Sequence, residues 1–366
     1  MLTLDTLLSE TRIPSGDEAY IRHTVSCSPF AKKLFTKDAG LLNDLLANLH
    51  KDYQLSDMQN FLSQQNIVDE ISLKHAVRAL RQQVLARIIV RDLNGFADLQ
   101  EVMRTTSQLA ECVINTSIDF LNTWLVNANG QPVDIEGNPQ RFIVIGMGKL
   151  GGGELNVSSD IDLIFAYASE GETDSEKPIS NQEFFTRLAK KLIATVDEIT
   201  EDGFVFRVDM RLRPFGSEGA LVSNLDALED YYQNNGREWE RYAWIKGREV
   251  TGGNQVSRLL KPFVFRKYLD FGAFASMRDL KIQIQRDVNS KGIYDNIKLG
   301  RGGIREIEFI AQVFQLIRGG QDVSLQIKPT LSVLNLLKNK GLLPEKTASE
   351  LSEAYVFLRN LAHRLM

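Results

Sequence analysis

Two aspartates separated by one residue are the side chains of this sequence best placed to do chemistry. Asp160 and Asp162 precede an apolar run, 163–166, and this pattern predicts that they open a buried β-strand. Because side chains alternate along a strand, both carboxylates are expected on one face and Ile161 on the other. An Asp-x-Asp pair is also common in solvated turns. Held side by side, however, two carboxylates repel each other unless a divalent cation or a proton lies between them.

A glycine-rich turn precedes the aspartates and follows a short apolar run, 142–145, that is typical of a buried strand. The letters GMGKLG from Gly146 onward fit the dinucleotide-binding fingerprint. That fold needs a crossover helix before its next parallel strand, and only nine residues, 151–159, are left for it. A Walker phosphate loop is excluded as well, because leucine follows Lys149 where serine or threonine is required.

A third acidic residue lies in a later segment, 204–214, which alternates strictly between charged and apolar residues. If this segment is a strand, one face carries four charges: Arg207, Asp209, Arg211 and Arg213. An exposed sheet edge is one explanation, and we favour a polar floor that faces an anion. Three acids on adjacent strands can bind two Mg²⁺ ions for an in-line displacement at phosphorus. Oxygen ligands favour Mg²⁺, with Mn²⁺ as a substitute, over zinc, and guanidinium groups suit phosphate oxygens.

The order of strand, glycine turn, short connection and Asp-x-Asp strand resembles the polymerase-beta-like nucleotidyltransferases. Their Gly-Ser pair matches Gly148, with Lys149 at the serine position offering a charge in place of the hydroxyl, and their turn ends as Gly153-Glu154 does. The resemblance implies an α+β fold, a small mixed sheet with helices, flanked by helical regions. The residues expected to act in catalysis and to bind metal are Asp160, Asp162 and Asp209. Those expected to contact nucleotide or phosphate are Gly148, Lys149, Gly153, Ser159, Arg211 and Arg213.

Four longer motifs, in order, resemble the family of bifunctional glutamine synthetase adenylyltransferase/adenylyl-removing enzymes. They are GMGKLGGGELNVSSDIDLIF, FVFRVDMRLRPFG, GREWERYA and IKLGRGGIREIEFIAQVFQLIRGG, within residues 141–320. The first is similar to the adenylyl-removing copy of the two nucleotidyltransferase copies in that family. The resemblance implies phosphorolysis of adenylylated tyrosine on glutamine synthetase, giving ADP, with a PII signal protein as a further partner. Adenylyl transfer from ATP, or a docking module without catalysis, remain alternatives.

A second glycine-rich turn, NIKLGRGG at 296–303, precedes a helix predicted from Ile304 onward. Free backbone N–H groups and the positive end of a helix dipole can bind an anion at such a turn. A simple helix cap is an equal alternative. The residues of this possible second anion site are Lys298, Arg301, Gly302, Gly303 and Arg305.

Composition argues against several functional classes. Lys and Arg number 43 against 47 Asp and Glu, a formal charge of −4, whereas general nucleic-acid binders are more often basic. The four histidines are scattered away from the aspartates, which argues against a zinc site. Cys27 and Cys112 are expected to be free and buried, as in a reducing compartment. With no evident signal sequence or membrane-spanning run, the sequence predicts a cytoplasmic protein that binds neither membrane nor nucleic acid.

The chain is expected to have three regions: a helical one at 1–130, a nucleotidyltransferase core at 131–250 and a second helical one at 251–366. An apolar stripe from Leu73 to Ile88 predicts one long helix. Its arginines are expected on a solvated face, with docking of an acidic partner as the alternative: Arg78, Arg81, Arg87 and Arg91. The last stripe, from Leu351 to Leu365, runs on without a stop signal, so we interpret the chain as cut inside a helix.

Overall fold

A computed structural model of the chain describes residues 16–267, 282 and 296–365. Helices surround one small mixed sheet, which confirms the predicted α+β class. Residues 1–15, 268–281, 283–295 and 366, which belong to the two outer predicted regions, lie outside the described residues, and the three-region division stays a prediction. Two compact units are found. The first comprises Met1–Leu121, Leu155–Ser159 and Leu192–Arg207, and the second comprises Asn122–Glu154, Asp160–Lys191 and Val208–Met366.

The first unit is helical, as predicted. Its helices are α1 (Asp17–Cys27), α2 (Pro29–Lys37), α3 (Ala39–Asn48), α4 (Leu55–Ser63), α5 (Glu70–Leu93) and the first part of α6 (Leu99–Asn129). Short polar side chains begin several of them: the Ser28 Oγ accepts from the Ala31 N–H, and Asp69 caps α5 by accepting from the Ser72 N–H. None of the helices that the described residues form is both long and apolar enough to cross a bilayer.

The arginines of α5 correct one prediction. Arg78, Arg87 and Arg91 are buried and do not form a solvated face. The Arg78 guanidinium donates to the carbonyl oxygens of Thr195 and Gly203 at 2.9 and 2.7 Å. Buried polar groups must find partners inside the protein, and these arginines find them in helix ends and loops of the same unit. They are therefore unavailable as an exposed docking surface.

The cysteine prediction is half right. Cys112 is buried within α6, whereas Cys27 is exposed. Cys27 is the last residue of α1, where the chain turns through the Ser28 cap into α2, and its thiol lies 4.0 Å from the His23 Nδ1 in an exposed contact. Both thiols are free.

The second unit holds the sheet and the remaining helices. In chain order its elements are β1 (Phe142–Gly146), α7 (Gly148–Gly152), β2 (Ile161–Tyr167), α8 (Asn181–Asp197, whose end belongs to the first unit), β3 (Val208–Asp209), β4 (Val222–Asn224), α9 (Leu225–Asn234), α10 (Glu238–Trp244), β5 (Arg248–Glu249), α11 (Gln255–Val264), α12 (Ile304–Arg318), α13 (Thr330–Asn339) and α14 (Glu345–Arg364). Short 3₁₀ turns lie at Gly216–Glu218 and Val323–Gln326.

The sheet has the order β3-β2-β1-β5, with β4 also pairing with β2. β1 and β2 are antiparallel, with Phe142 opposite Tyr167 and Gly146 opposite Leu163. The short connection between them therefore joins antiparallel neighbours, and the exclusion of a dinucleotide-binding unit is confirmed. β3 and β4 pair in parallel with successive parts of β2.

Apolar packing holds the central strands in place. Residues of β1 and β2 such as Ile145 and Ile164 are about 1% exposed and pack in one cluster with residues of α9–α12. A second cluster joins α12, α13 and α14 through Ile307, Leu334 and Tyr355. Each such buried side chain contributes about 1.5–3 kcal/mol through removal of apolar surface from water. The end of β2 that carries the aspartates is thus fixed by a packed core.

Candidate active site

The aspartates of two different strands lie side by side. Asp162 is the direct partner of Asp209 in the parallel ladder of β2 and β3. Side chains of residues paired in register project from the same face of a sheet. Asp160 lies just before β2, is exposed, and its charge acts on Asp162. The structure therefore pairs Asp162 with Asp209, and the charge of Asp160 acts on Asp162 from the residue before the strand.

The Asp162 carboxyl is unfavourable as an isolated anion. Its pKa is raised to about 6, first by burial and next by the negative charge of Asp209. Asp160 also raises this pKa, while Lys298 and Arg211 lower it. A carboxyl that resists ionisation for these reasons is stabilised by a cation placed beside it.

Asp209 already has a cationic neighbour in Arg211. Its Oδ1 accepts from the Arg211 backbone N–H at 2.9 Å and from Nε at 3.0 Å, and its Oδ2 accepts from Nε at 2.9 Å. The hydrogen bond from the Arg211 side chain is the main cause of the lowered pKa of Asp209. The Arg211 side chain is 81% exposed, so its contact with Asp209 can be exchanged for another at little cost.

The donor chemistry of this site fits a hard divalent cation. Its ligands would be carboxylate oxygens from β2 and β3, which repel one another in the absence of a positive charge. As the side chains stand, no three His, Cys, Asp or Glu residues in the described part of the chain surround one point closely enough to hold a metal ion. Arg211 occupies the Asp209 oxygens that an ion would use, so it would have to move aside when a metal binds.

The glycine-rich turn lies against the acid pair. The Met147 N–H donates to the Asp162 carbonyl at 2.9 Å, which ties the start of α7 to β2. Gly148 has φ +52°, and a Cβ at this position would lie 3.1 Å from the Asp162 Oδ2. Gly153 ends α7 with φ +68°, a left-handed conformation that glycine adopts readily. The backbone of the turn can therefore approach a ligand held by the aspartates.

Lys149 and Lys298 place positive charge beside this turn. The pKa of Lys149 is lowered to about 8, first by burial and then by the charges of Arg359 and Lys298. Lys298 also acts on Asp162. From the sequence, Lys298 was expected in a separate anion site. In the structure its charge acts on Lys149 in the glycine-rich turn that follows β1. Nothing in the local sequence pattern reveals this proximity, because the two lysines lie on segments far apart in the chain.

The contacts of the second glycine turn favour the helix-cap alternative over the anion site. Its backbone donors are engaged within the turn: the Gly302 N–H by the Glu306 Oε2 at 2.9 Å, the Gly303 N–H by the Gly300 carbonyl at 3.0 Å, and the Arg305 N–H by the Lys298 carbonyl at 3.1 Å. Arg301 and Arg305 are exposed. The turn caps α12, and the free N–H groups expected for an anion are already in use.

The predicted strand at 204–214 is wrong beyond two residues, since only Val208–Asp209 pairs with β2. The chain then folds back, and the Arg213 guanidinium donates to the carbonyl oxygens of Met210 at 2.8 Å and Gly219 at 3.2 Å. Arg213 thus stabilises its own loop. Ser159 lies in the first unit, where its Oγ accepts from the Asn156 N–H at 3.0 Å.

Two family models match successive parts of the chain. The family model described as "Glutamate-ammonia ligase adenylyltransferase" matches residues 19–260. The model described as "GlnD PII-uridylyltransferase" matches residues 278–366. The first match covers the acid pair, β1–β5 and the glycine-rich turn.

Curated relatives agree with the first match. Proteins named "Bifunctional glutamine synthetase adenylyltransferase/adenylyl-removing enzyme" are 50% identical in Nitrosomonas eutropha over 348 residues (92% of this chain, 38% of that protein), and 49% identical in Chromobacterium violaceum over 355 residues (96% and 40%). The Aromatoleum aromaticum protein of the same name is 50% identical over 347 residues (94% and 37%). The chain thus spans 37–40% of the length of these relatives. It belongs to the glutamate-ammonia ligase adenylyltransferase family.

Proposed function

We propose that the second unit carries a metal-dependent centre that removes AMP from an adenylylated tyrosine of glutamine synthetase, with inorganic phosphate as the attacking group. The products are ADP and unmodified synthetase, so the reaction would regulate nitrogen assimilation, in the cytoplasm. The observation that carries this proposal is the paired register of Asp162 and Asp209, with the Gly148 turn against them. The names of the relatives, which include both adenylyl transfer and removal, support the substrate.

The reaction is a displacement at the α-phosphorus of the AMP group. A phosphate oxygen forms the new P–O bond, the bond to the tyrosine oxygen breaks, and the phenolate takes a proton from solvent. Phosphate is already anionic, so no general base is required. Mg²⁺ or Mn²⁺ held by Asp160, Asp162 and Asp209 would stabilise charge on the attacking and leaving oxygens.

The remaining work falls to positioning by the chain itself. Lys149 and Lys298 provide positive charge beside the turn, and Arg211 can exchange Asp209 for a phosphate oxygen. The backbone at Gly148 and Gly153 leaves room for the phosphate groups. Charges already in place, such as those of the two lysines, lower the barrier because they need no rearrangement during the reaction. A PII signal protein as a regulatory partner rests on the family resemblance alone.

The sequence favours removal over transfer because the ELNVSSDIDLIF motif resembles the adenylyl-removing copy. Transfer from ATP is the second candidate, since the relatives' name includes it and both reactions displace at the same phosphorus. A direct assay separates them. The purified chain is mixed with adenylylated synthetase, phosphate and Mg²⁺, or with unmodified synthetase, ATP and Mg²⁺. ADP from the first mixture supports removal, and pyrophosphate from the second supports transfer.

The same assay tests the acid pair. Asp162→Asn is expected to lower ADP formation on the order of a thousandfold, as loss of a charge-stabilising group does in other enzymes. The matched control is Asp230→Asn, an exposed aspartate on α9, which should retain full activity. Absence of either product from the folded parent chain would refute catalysis and favour a docking module.

A further inference from the structure

A cluster of ionic and polar side chains lies behind the glycine-rich turn, within the second unit. We name it the Glu154 cluster, and its members come from five segments: Glu154, Lys246, Glu308, Thr330, Tyr355 and Arg359. Five of the six are at most 5% exposed, and the side chain of Glu308 is 19% exposed. Groups of this polarity are rarely buried without a complete set of partners. The cluster has no role in the chemistry described above.

Lys246 lies at the centre of the cluster. Its Nζ donates to the Glu154 Oε2 at 2.5 Å, the Glu308 Oε1 at 3.2 Å and the Thr330 Oγ1 at 3.1 Å. The three donors of the ammonium group are thereby used. Burial alone would lower the pKa of Lys246, but the charges of Glu154 and Glu308 outweigh it and keep this pKa raised.

Helix α14 completes the cluster from another direction. The Tyr355 OH donates to the Glu308 Oε1 at 3.3 Å and accepts from the Arg359 Nη1 at 2.9 Å. The Arg359 Nη2 donates to the backbone carbonyl of Glu154 at 2.5 Å. Because Arg359 is fully buried, this contact fixes the chain at the point where it leaves the turn.

The turn itself is attached to the cluster through its backbone. The Glu154 N–H donates to the Lys149 carbonyl at 2.7 Å. A Cβ on Gly151 would lie 1.8 Å from the Lys246 carbonyl oxygen, so only glycine permits this approach. The Arg248 Nε also donates to the Gly151 carbonyl at 3.1 Å. The segment that carries Lys149 is thus held by several backbone contacts.

Charged groups of the cluster also influence the pKa of the Lys149 amine. After burial, the largest influences on its pKa are Arg359 and Lys298, which lower it, followed by Glu308, which raises it, and Lys246, which lowers it. Three of these four charged groups belong to the Glu154 cluster or contact it directly. Glu308 is therefore the carboxylate that favours the charged form of Lys149.

We propose that the Glu154 cluster is a positioning device for the glycine-rich turn, which holds in place the segment that presents Lys149 to a bound phosphate group. The phosphate as ligand rests on the proposed function. The positioning itself rests on the hydrogen bond from Arg359 to the Glu154 carbonyl, on that from the Glu154 N–H to the Lys149 carbonyl, and on those of the Glu154 side chain with Lys246. Glu308 acts through Lys246 and Tyr355, which it bonds, and touches no substrate.

The test compares two glutamates of the same unit that both accept from a tyrosine OH. Glu308→Gln removes the carboxylate that accepts from both Lys246 and Tyr355. Glu240→Gln is the control, because Glu240 is equally part of a buried bond, from the Tyr231 OH at 2.8 Å, but is not among the groups acting on Lys149. The Lys149 pKa is read from the ¹³C-dimethyl-lysine NMR signal that Lys149→Arg removes. The KM for phosphate and kcat are measured in parallel.

We expect Glu308→Gln to lower the pKa of Lys149 and Glu240→Gln to leave it unchanged. A fall of about one unit would reduce the charged fraction at pH 8 from about one half to about one tenth, so the KM for phosphate should rise about fivefold with a smaller change in kcat. Unchanged Lys149 titration in folded Glu308→Gln, or equal changes in both variants, would overturn the proposal. Absence of phosphorolysis in the parent chain would refute the proposed function and leave the NMR result to decide the positioning.

Two milder substitutions test the same role if Glu308→Gln does not fold. Tyr355→Phe releases Glu308 and Arg359 without changing any charge, and Tyr231→Phe removes the equivalent tyrosine–glutamate bond away from the turn. A shifted Lys149 signal in Tyr355→Phe alone supports the positioning role. An identical signal in both variants contradicts it.

Discussion

The acid pair and the Glu154 cluster are two carboxylate-rich sites of the same unit with opposite electrostatic states. At the acid pair, Asp162 and Asp209 face each other, and burial and repulsion raise the pKa of Asp162 to about 6. In the Glu154 cluster, the Lys246 ammonium lies between the two carboxylates and bonds to both. A site whose charges are satisfied internally needs no ligand, whereas one whose charges repel is completed by a ligand. The comparison therefore separates acids that hold the chain in place from acids that bind a ligand.

Removal of the Lys246 ammonium, the central cation of the Glu154 cluster, should cause the largest loss of stability. Lys246→Met would leave Glu154 and Glu308 without their shared cation, and breaking a buried pair in this way costs about 3–5 kcal/mol. The free energy of unfolding from urea titration measures the loss. Lys190→Met, at an exposed position on α8, is the control and should change stability little. A loss below about 1 kcal/mol would contradict the structural role of the cluster.

The raised pKa of Asp162 should make the stability of the protein depend on pH. The folded state binds a proton on Asp162 more tightly than the unfolded chain does, because its pKa is raised from 3.8 to about 6. Stability is therefore lost as the pH rises from about 4 to about 6, by at most about 3 kcal/mol. In Asp162→Asn this loss should be absent. We expect the difference in unfolding free energy between the two proteins to grow across that range when it is measured without divalent metal. A constant difference would show that the pKa of Asp162 is not raised in the folded protein.

The turn between the two sites offers a smaller test. Gly148→Ala and Gly137→Ala both place alanine at a positive φ, +52° and +86°, and each should cost about 1 kcal/mol of stability. The added methyl group at Gly148 would lie 3.1 Å from the Asp162 Oδ2, while nothing lies within 4 Å of one at Gly137. Only Gly148→Ala is expected to reduce phosphorolysis, by about tenfold. Equal activities in the two variants would mean that the turn does not shape the site.

The sequence predicted those parts of the site that depend on local pattern. The buried strand after Asp160, the exclusion of a dinucleotide-binding unit by the short connection, and the helix from Ile304 are all confirmed. The resemblance of the motifs to the family is confirmed as well. These features follow from residue spacing within one or two dozen positions, where side-chain periodicity carries the information.

Features that depend on distant partners escaped prediction. Alternation after Asp209 suggested a long strand, but Arg211 and Arg213 bond to oxygens of their own loop, which alternation cannot reveal. Arg78 of α5 looked solvated because its carbonyl partners, Gly203 and Thr195, lie more than a hundred residues away in the sequence. The Arg359–Glu154 bond of the Glu154 cluster joins residues 205 positions apart, so no local sequence motif could predict the cluster.

Metal binding at the acid pair is the central claim, and a crystal soaked with Mn²⁺ and an adenine nucleotide tests it most directly. We predict an anomalous peak between Asp162 and Asp209, with the Arg211 side chain displaced from Asp209. Mn²⁺ bound elsewhere, with nucleotide present and Arg211 still on Asp209, would contradict it.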